Sequence, residues 1–490
     1  MTEQAAFVDT VRGEGTGPRM EVLNPATGDV VREVSSQTVE EVVANIDALS
    51  VSYRRWAELP LEHRGAVLAR CAAEIVAHIE ELASTLTTEQ GKTLKEARLE
   101  IGRCADTFRI YSELTHLLAP QSVEMHGRDA WTVKLPLGVV AAVVPWNFPL
   151  TLLANKLVPA LLAGNGVVIK PAPSTPLTTS RLLDIICSCG VPEDAFTVVI
   201  GGKEAGEAIV KHSAVQLISV TGSTETGRAI MRSAADRVKR LTLELGGSDA
   251  MIVCDDADLE SAARAAAVGR FFNCGQACIA VKRVFVHEDV ADEFLERLVA
   301  RAQRLKVGPG DDSASIVGPL HSARQLRDTL DLVEDAVTQG ATVVFGGQPL
   351  SGGEHRGGFF IEPTVLTDVP ATARILHEEC FGPALPVNRF ASLDEAIDCA
   401  NESEFGLGSS IWTSDPVKAQ IAISRLQAGN TWVNDMAIDH DELPFGGVKQ
   451  SGFGKERGTE VLLEYVNLKS VVAAEGFLPS RILEGEVGNE

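Results

Sequence analysis

The segment Phe271-Phe272-Asn273-Cys274-Gly275-Gln276-Ala277-Cys278 places a cysteine in a glycine-containing turn among small and amide residues. Such a turn can expose the thiol, and the thiolate form is a nucleophile once a lowered pKa or a nearby base supplies it. A free cysteine is also a common small core residue, so Cys278 alone reads as a packed thiol. Leu243-Glu244-Leu245-Gly246-Gly247 ends an apolar run with a carboxylate followed by two glycines. Burial there would raise the carboxyl pKa and suit it to general-base work near neutrality; a solvated strand-end charge is the plainer reading. In Val144-Pro145-Trp146-Asn147-Phe148-Pro149 an amide stands between two prolines. A rigidly held amide can donate to a developing oxyanion, and an ordinary turn residue would look the same.

These residues need elements to hold them. Thr38 to Leu118 reads as three amphipathic helices. Apolar, β-branched runs ending in turn residues then alternate with helices: Val139–Pro145, Gly166–Lys170, Thr197–Gly202 and Gln216–Thr221. Strand, short polar turn, helix is the unit that sets a phosphate at a helix N-terminus. A second series follows Gly247, with strands expected at Met251–Cys254, Val284–His287, Thr342–Phe345, Leu385–Phe390, Ser409–Thr413 and Thr431–Asn434. The alternation predicts an α/β fold with largely parallel sheets and a boundary near residue 246. Strand-like segments at 121–137 and 464–473 fall outside both series and are expected to form a small extra sheet at a subunit interface. The tail Glu484–Glu490 is expected to be mobile.

Composition narrows the classes. A chain of 490 residues is too long for one ordinary core and implies two or three domains. The formal net charge of -23 would be repelled by phosphate backbones, which excludes nucleic acid as the natural partner. Met1 to Arg19 has no apolar core of signal-peptide length, and no apolar stretch reaches the roughly 20 residues of a membrane span. Nine cysteines without a CxxC pair suggest neither a disulfide framework nor a metal site. The chain reads as cytoplasmic, without metal and without membrane contact.

Taken together, the motifs carry a resemblance. The chain is similar to the aldehyde dehydrogenase superfamily from Asn24-Pro25-Ala26-Thr27-Gly28 to about Val472. The resemblance runs through the three segments above, Val168-Ile169-Lys170-Pro171, Thr221-Gly222-Ser223, Glu379-Cys380-Phe381-Gly382-Pro383, and Pro444-Phe445-Gly446-Gly447 with Lys449, Ser451 and Gly452. It implies two doubly wound, Rossmann-like α/β domains plus a small oligomerisation sheet. Residues 1–120 and 138–246 would bind coenzyme and 247–445 would carry the nucleophile. Residues 121–137 and 464–490 would form the oligomerisation segment and tail of a homodimer or homotetramer.

By the same resemblance Cys278 attacks an aldehyde, Asn147 and the Cys278 backbone N–H hold the oxyanion, and Glu244 activates the water that hydrolyses the thioester. Relatives that pass the acyl group to coenzyme A typically lack this glutamate, so a free acid is expected. Lys156 and Glu456 match a proton-exit relay. Val144, Pro145, Trp146, Lys170, Gly202, Gly222, Ser223, Leu245, Glu379 and Phe381 match coenzyme-contact positions, although a GxGxxG fingerprint is absent. Phe148, Leu152, Asn155, Phe272 and Phe445 match the substrate pocket.

Departures from the family pattern bear on specificity. Pro173 stands where many NAD+-preferring relatives carry a glutamate, and Lys203, next to Gly202, could approach a 2′-phosphate. The coenzyme is therefore NAD+ or NADP+, with a lean to NAD+ from the family's habit. No arginine is expected among the lining positions, which favours neutral aliphatic or aromatic aldehydes. An amino-aldehyde drawn by Asp439 and Asp441, or a semialdehyde, is the alternative. Cys274 could close a disulfide with Cys278 that silences the enzyme. A non-enzymatic or esterase-type descendant of the fold is the competing class; the presence of Cys278 and Glu244 argues against the first, and the cofactor motifs against the second.

Overall fold

The computed structural model describes residues 11–476. The tail Glu484–Glu490 and residues 1–10 lie outside them. Five α-helices, not three, fill the early region: Val39–Ser52, Arg54–Ala57, Leu61–Ala77, Ile79–Gln90 and Leu94–Ser112. The extra breaks have local causes. His78 leaves helical geometry at φ -103°, ψ 17°, and Gly91 takes a left-handed cap at φ 102°. Thr38 and Thr93 each form a reciprocal capping box with Glu41 and Glu96.

The first sheet has the order Gly452–Phe453, Arg240–Glu244, Val215–Thr221, Val139–Val143, Gly166–Lys170, Phe196–Val198. All neighbours are parallel except the late-arriving Gly452–Phe453. From Val139–Val143 the chain first winds outward through Gly166–Lys170, then returns to build the other side from Val215–Thr221. Ligands bind beyond the carboxyl ends of strands at such a reversal, here beside residues 144–148 and 222–223. Alternate side chains of one strand enter different cores: Val140 and Ala142 pack with the helices of residues 61–112, Val139 and Ala141 with the opposite layer. Sheet and helices enclose the helix Pro149–Leu162, every residue of which is buried. Its proline start costs no hydrogen bond, because the first helical N–H has no partner anyway.

The second sheet has seven strands in the order Thr342–Phe345, Thr364–Thr367, Ala384–Phe390, Val281–His287, Asp249–Val253, Gly408–Trp412, Asn430–Val433. Only its first edge is antiparallel. Thr364–Thr367 is an addition to the expected strands. The sheet is covered on both faces: Met251 and Val253 point to one apolar cluster, Ala250 and Ile252 to another. A third sheet joins Gln121–Val123, Arg128–Pro136 and Val466–Ala474, the last two paired antiparallel over nine residues. No helix among the described residues is long and apolar enough to cross a membrane.

Candidate active site

Cys278 is delivered by an abrupt stop. The helix Leu259–Phe271 runs into a short turn in which Asn273, Cys274 and Gly275 all have positive φ, at 49°, 55° and 74°. A Cβ on Gly275 would stand 2.5 Å from the Gly382 carbonyl, so only glycine fits. Hydrogen bonds hold this strained turn: Asn273 N–H donates to Glu96 at 2.7 Å and Gln276 Nε2 donates to the Asn273 carbonyl at 3.0 Å. Cys274 is buried in the apolar core and lines neither of the two cavities described below, while Cys278 lines both. Burial and Glu96 push the Cys274 thiol well up. The geometry is that of a packed thiol.

The first cavity, of 280 Å³, opens at the strand reversal, and Pro145, Trp146, Gly222, Ser223, Leu245, Glu379 and Phe381 line it. Val144, Lys170 and Gly202 are not part of its wall. The helix Ala323–Thr338 closes its far side with Gln325, Asp328, Thr329 and Leu332, which sequence reasoning missed. Trp146 stacks on His321 at 4.4 Å and meets Phe381 edge-on at 5.6 Å. His321 is itself held between the Gln90 carbonyl and Ser174, and burial lowers its pKa to about 4, so it is neutral. Lys170 is buried, burial lowers its pKa to about 8, and its ammonium has no ion-pair partner among the described residues. A buried cation without a partner at a strand end suits a ligand with hydroxyl or anionic groups.

The second cavity is a tunnel of 420 Å³ that reaches Cys278 from the opposite side. Phe148, Leu152, Asn155, Phe272 and Phe445 all line it, and Phe148 and Phe272 stack at 6.0 Å. Arg103 lines it as well, which corrects the expectation that no arginine does. The residue sits on the helix Leu94–Ser112, far in sequence from any recognisable motif. Its guanidinium is 2.8 Å from Asp439 and donates to the Asp439 carbonyl at 2.6 Å. Asp439 and Asp441 do not face solvent as free acids: fully buried Arg457 lies 2.7 Å from Asp439 and contacts Asp441. Two acids are thus balanced by two arginines.

Between the cavities lie the remaining groups. Asn147 Nδ2 donates to the Gln276 carbonyl at 3.1 Å, which leaves the second amide hydrogen available. The Asn147 carbonyl accepts from Lys92 Nζ at 2.7 Å, and Lys92 pairs with Glu100 at 2.5 Å, all three buried. Glu244 is buried, and neither carboxylate oxygen accepts an N–H or O–H hydrogen bond. Burial, then the charge of Glu456, pushes its pKa up to about 8. Burial and Glu244 also hold the Cys278 thiol well above the usual cysteine range, and Lys282 is the cation that opposes them. Lys282 Nζ donates to the Cys278 carbonyl at 2.5 Å and to Glu379 at 2.8 Å. Lys156 contacts Glu456 and donates to Thr221 at 2.6 Å; Asn155 Nδ2 donates to Glu456 at 3.2 Å. The Lys92–Glu100 pair, Lys282 and His321 carry no motif that would have marked them.

A thiol and a buried carboxylate, set between a Rossmann-type crevice and an apolar tunnel, define a coenzyme-dependent enzyme acting on a small molecule. Residues 11–471 match the aldehyde dehydrogenase family, and the chain belongs to it, as an NAD(P)+-dependent oxidoreductase. It is 39% identical over 452 residues, 92% of this chain and 94% of the other, to a succinate-semialdehyde dehydrogenase [NADP(+)] of Deinococcus radiodurans. A putative aldehyde dehydrogenase from Burkholderia cenocepacia superposes with a TM-score of 0.92 at 36% identity, covering 96% of this chain and 99% of that one. The betaine aldehyde dehydrogenase of Staphylococcus aureus, solved with NAD+, gives 0.91 at 33% identity, covering 97% and 95%.

Proposed function

We propose that the chain oxidises neutral aliphatic or aromatic aldehydes to free carboxylic acids through a thioester on Cys278. The observation that carries this reading is the position of Cys278 at the junction of the crevice and the tunnel, with Glu244 beside it. Cys278 gives its proton to solvent, and its thiolate, favoured by the charge of Lys282, bonds to the aldehyde carbon. The free hydrogen of the Asn147 amide and the Cys278 backbone N–H hold the oxyanion. The coenzyme supplies the hydride acceptor that turns this adduct into a thioester. Glu244 then removes a proton from water as it adds to the acyl carbon; the carbon–sulfur bond breaks, the acid leaves and the thiol is restored. Lys156 and Glu456 carry the proton onward.

For the coenzyme, Trp146, Gly222, Ser223, Leu245, Glu379 and Phe381 form the crevice wall, and the unpaired Lys170 suits the ribose hydroxyls. Pro145 belongs to the same wall, and Val144 and Gly202 complete the contact set by resemblance. NAD+ is favoured over NADP+. Lys203 is 88% exposed, and its ammonium lies 3.9 Å from Glu207, so its charge is engaged in solvent and adds little to phosphate binding. The kcat/KM ratio is expected to favour NAD+ and to change less than about twofold in Lys203→Ala. A preference for NADP+ that this substitution removes would overturn the assignment.

The tunnel's charges balance, which supports neutral substrates. Burial of apolar substrate surface against Phe148, Leu152 and Phe272 gives roughly 0.8 kcal/mol per methylene. Hexanal and benzaldehyde are therefore expected to exceed succinic semialdehyde in kcat/KM by about tenfold or more. Arg103 and the Deinococcus relative's name favour a second reading, a semialdehyde whose carboxylate meets that arginine. The same panel decides, since a preference for succinic semialdehyde lost in Arg103→Leu would establish the second reading.

The assembly is a homodimer or homotetramer formed through the three-stranded sheet. Leu468 and Val472 lie on one face of Val466–Ala474 and are 59% and 56% exposed, a patch suited to a partner. Light scattering is expected to give at least twice the chain mass, and Leu468→Glu with Val472→Glu should reduce it to one chain. A monomeric native protein would refute this assembly. The location is the cytoplasm, supported by nine unpaired cysteines and no membrane-length helix among the described residues.

A further inference from the structure

Among the described residues, one member of the tunnel wall carries a buried side-chain atom with no hydrogen-bond partner. Its wall is mostly apolar, and its charged members are engaged: Glu100 by Lys92 and the Leu150 N–H, Arg103 by Asp439. The Thr151 hydroxyl donates to the Glu100 carbonyl at 3.1 Å. Asn155 is different. It projects from the helix Pro149–Leu162 on the same side as Thr151 and Leu152, three or four residues earlier, and lines the tunnel with them. Its Nδ2 donates to the Glu456 carboxylate, which fixes which way the amide lies, because the oxygen would be repelled there. Its Oδ1 is buried and has no hydrogen-bond partner. Among the buried side-chain atoms without a partner, it is the one that belongs to a tunnel residue.

A buried carbonyl oxygen without a donor is costly, so on a residue of the substrate tunnel it is a place for a ligand's donor. We propose that the favoured substrate is an aldehyde bearing a hydroxyl group, and that this hydroxyl donates to Asn155 Oδ1. The inference rests on the aldehyde-oxidising reading of Cys278 and narrows it. The carbonyl of the substrate lies at Cys278, and its hydroxyl points along the helix toward Asn155, with the apolar body between them against Phe148 and Leu152. An apolar tunnel without this acceptor would disfavour a hydroxyl, since desolvating it has no compensation. The presence of Oδ1 reverses that sign.

The test uses two matched pairs with purified, full-length enzyme and saturating coenzyme. 3-Hydroxybenzaldehyde is compared with 3-methylbenzaldehyde, which has the same shape without the donor, and 6-hydroxyhexanal with heptanal. At least one hydroxylated member is expected to exceed its partner in kcat/KM by about tenfold or more. In Asn155→Leu the ratio for that pair should fall to one or below, whatever the absolute rates become, because the acceptor is gone and the hydroxyl is desolvated without compensation. The ratio of the native enzyme is informative even if the variant does not fold. Oxidation of all four aldehydes with neither hydroxyl preferred would overturn this inference and leave the aldehyde dehydrogenase reading intact. A preference that survives in Asn155→Leu would overturn it as well. Failure to oxidise any aldehyde would overturn both.

Discussion

Replacing Cys278 by alanine is expected to lower kcat/KM for aldehyde oxidation by at least about 10⁴-fold, because the proposed covalent route disappears with the nucleophile. The substitution removes one sulfur from a turn held by other side chains. Asn273, Gln276 and Glu96 keep their bonds, so fold and coenzyme affinity should be retained. Coenzyme binding followed by tryptophan fluorescence is a direct check, since Trp146 lines the crevice. Retention of more than about a hundredth of the native rate would exclude Cys278 as the nucleophile. Alkylation gives a second reading of the same group. Burial and Glu244 hold the thiol in its protonated form, so the rate at which iodoacetamide modifies Cys278 should rise with pH across the neutral range.

The second large effect is expected at Glu244. In Glu244→Gln the acyl group forms but leaves slowly, so one coenzyme per subunit is reduced in a burst before a steady state slowed about 10²- to 10⁴-fold. Intact-mass measurement should show the enzyme heavier by the acyl group. A variant that turns over without a burst or adduct would show that Glu244 is not the hydrolytic base. The pH dependence has a definite sign. The pKa of Glu244 is raised to about 8, so the ionised form that can accept a proton is scarce at pH 6 and dominant only above about 8. Native hydrolysis should therefore increase through that range and level off beyond it, and the glutamine variant should lose the limb. Removing the negative neighbour should also make Cys278 easier to ionise, so alkylation at pH 7 should accelerate in Glu244→Gln.

Much of this architecture is legible in the sequence. The alternation of β-branched runs with helices marks both main sheets, because strands covered on two faces must be apolar along their whole length. Segments such as Gly166–Lys170 and Thr342–Phe345 fall where expected. The helical region was less legible: a continuous amphipathic pattern conceals the break at His78, where one residue's dihedrals divide a helix without altering its polarity. The strand Thr364–Thr367 lies between Pro363 and Pro370, so the segment reads as loop.

What the residues determined unaided was the set of candidate reactive groups, and only their combination, through the family resemblance it carries, set them apart from a packed thiol, a solvated charge and a turn residue. A cysteine after Gly275-Gln276-Ala277, a glutamate before two glycines and an amide between prolines are local statements, readable because turns and strand ends restrict which residues can stand there. What only the tertiary structure decided was the state and the surroundings of those groups. Lys92 lies 55 residues from the Asn147 carbonyl it holds, and Lys156 lies 300 from Glu456. The acids near residue 440 look like a lure for cations until Arg103 and Arg457 are seen to neutralise them. The physical reason is that a charged or polar side chain has no fixed meaning in a sequence. Its protonation, and whether it attracts a substrate or only another side chain, depends on burial and partners that folding brings from far along the chain.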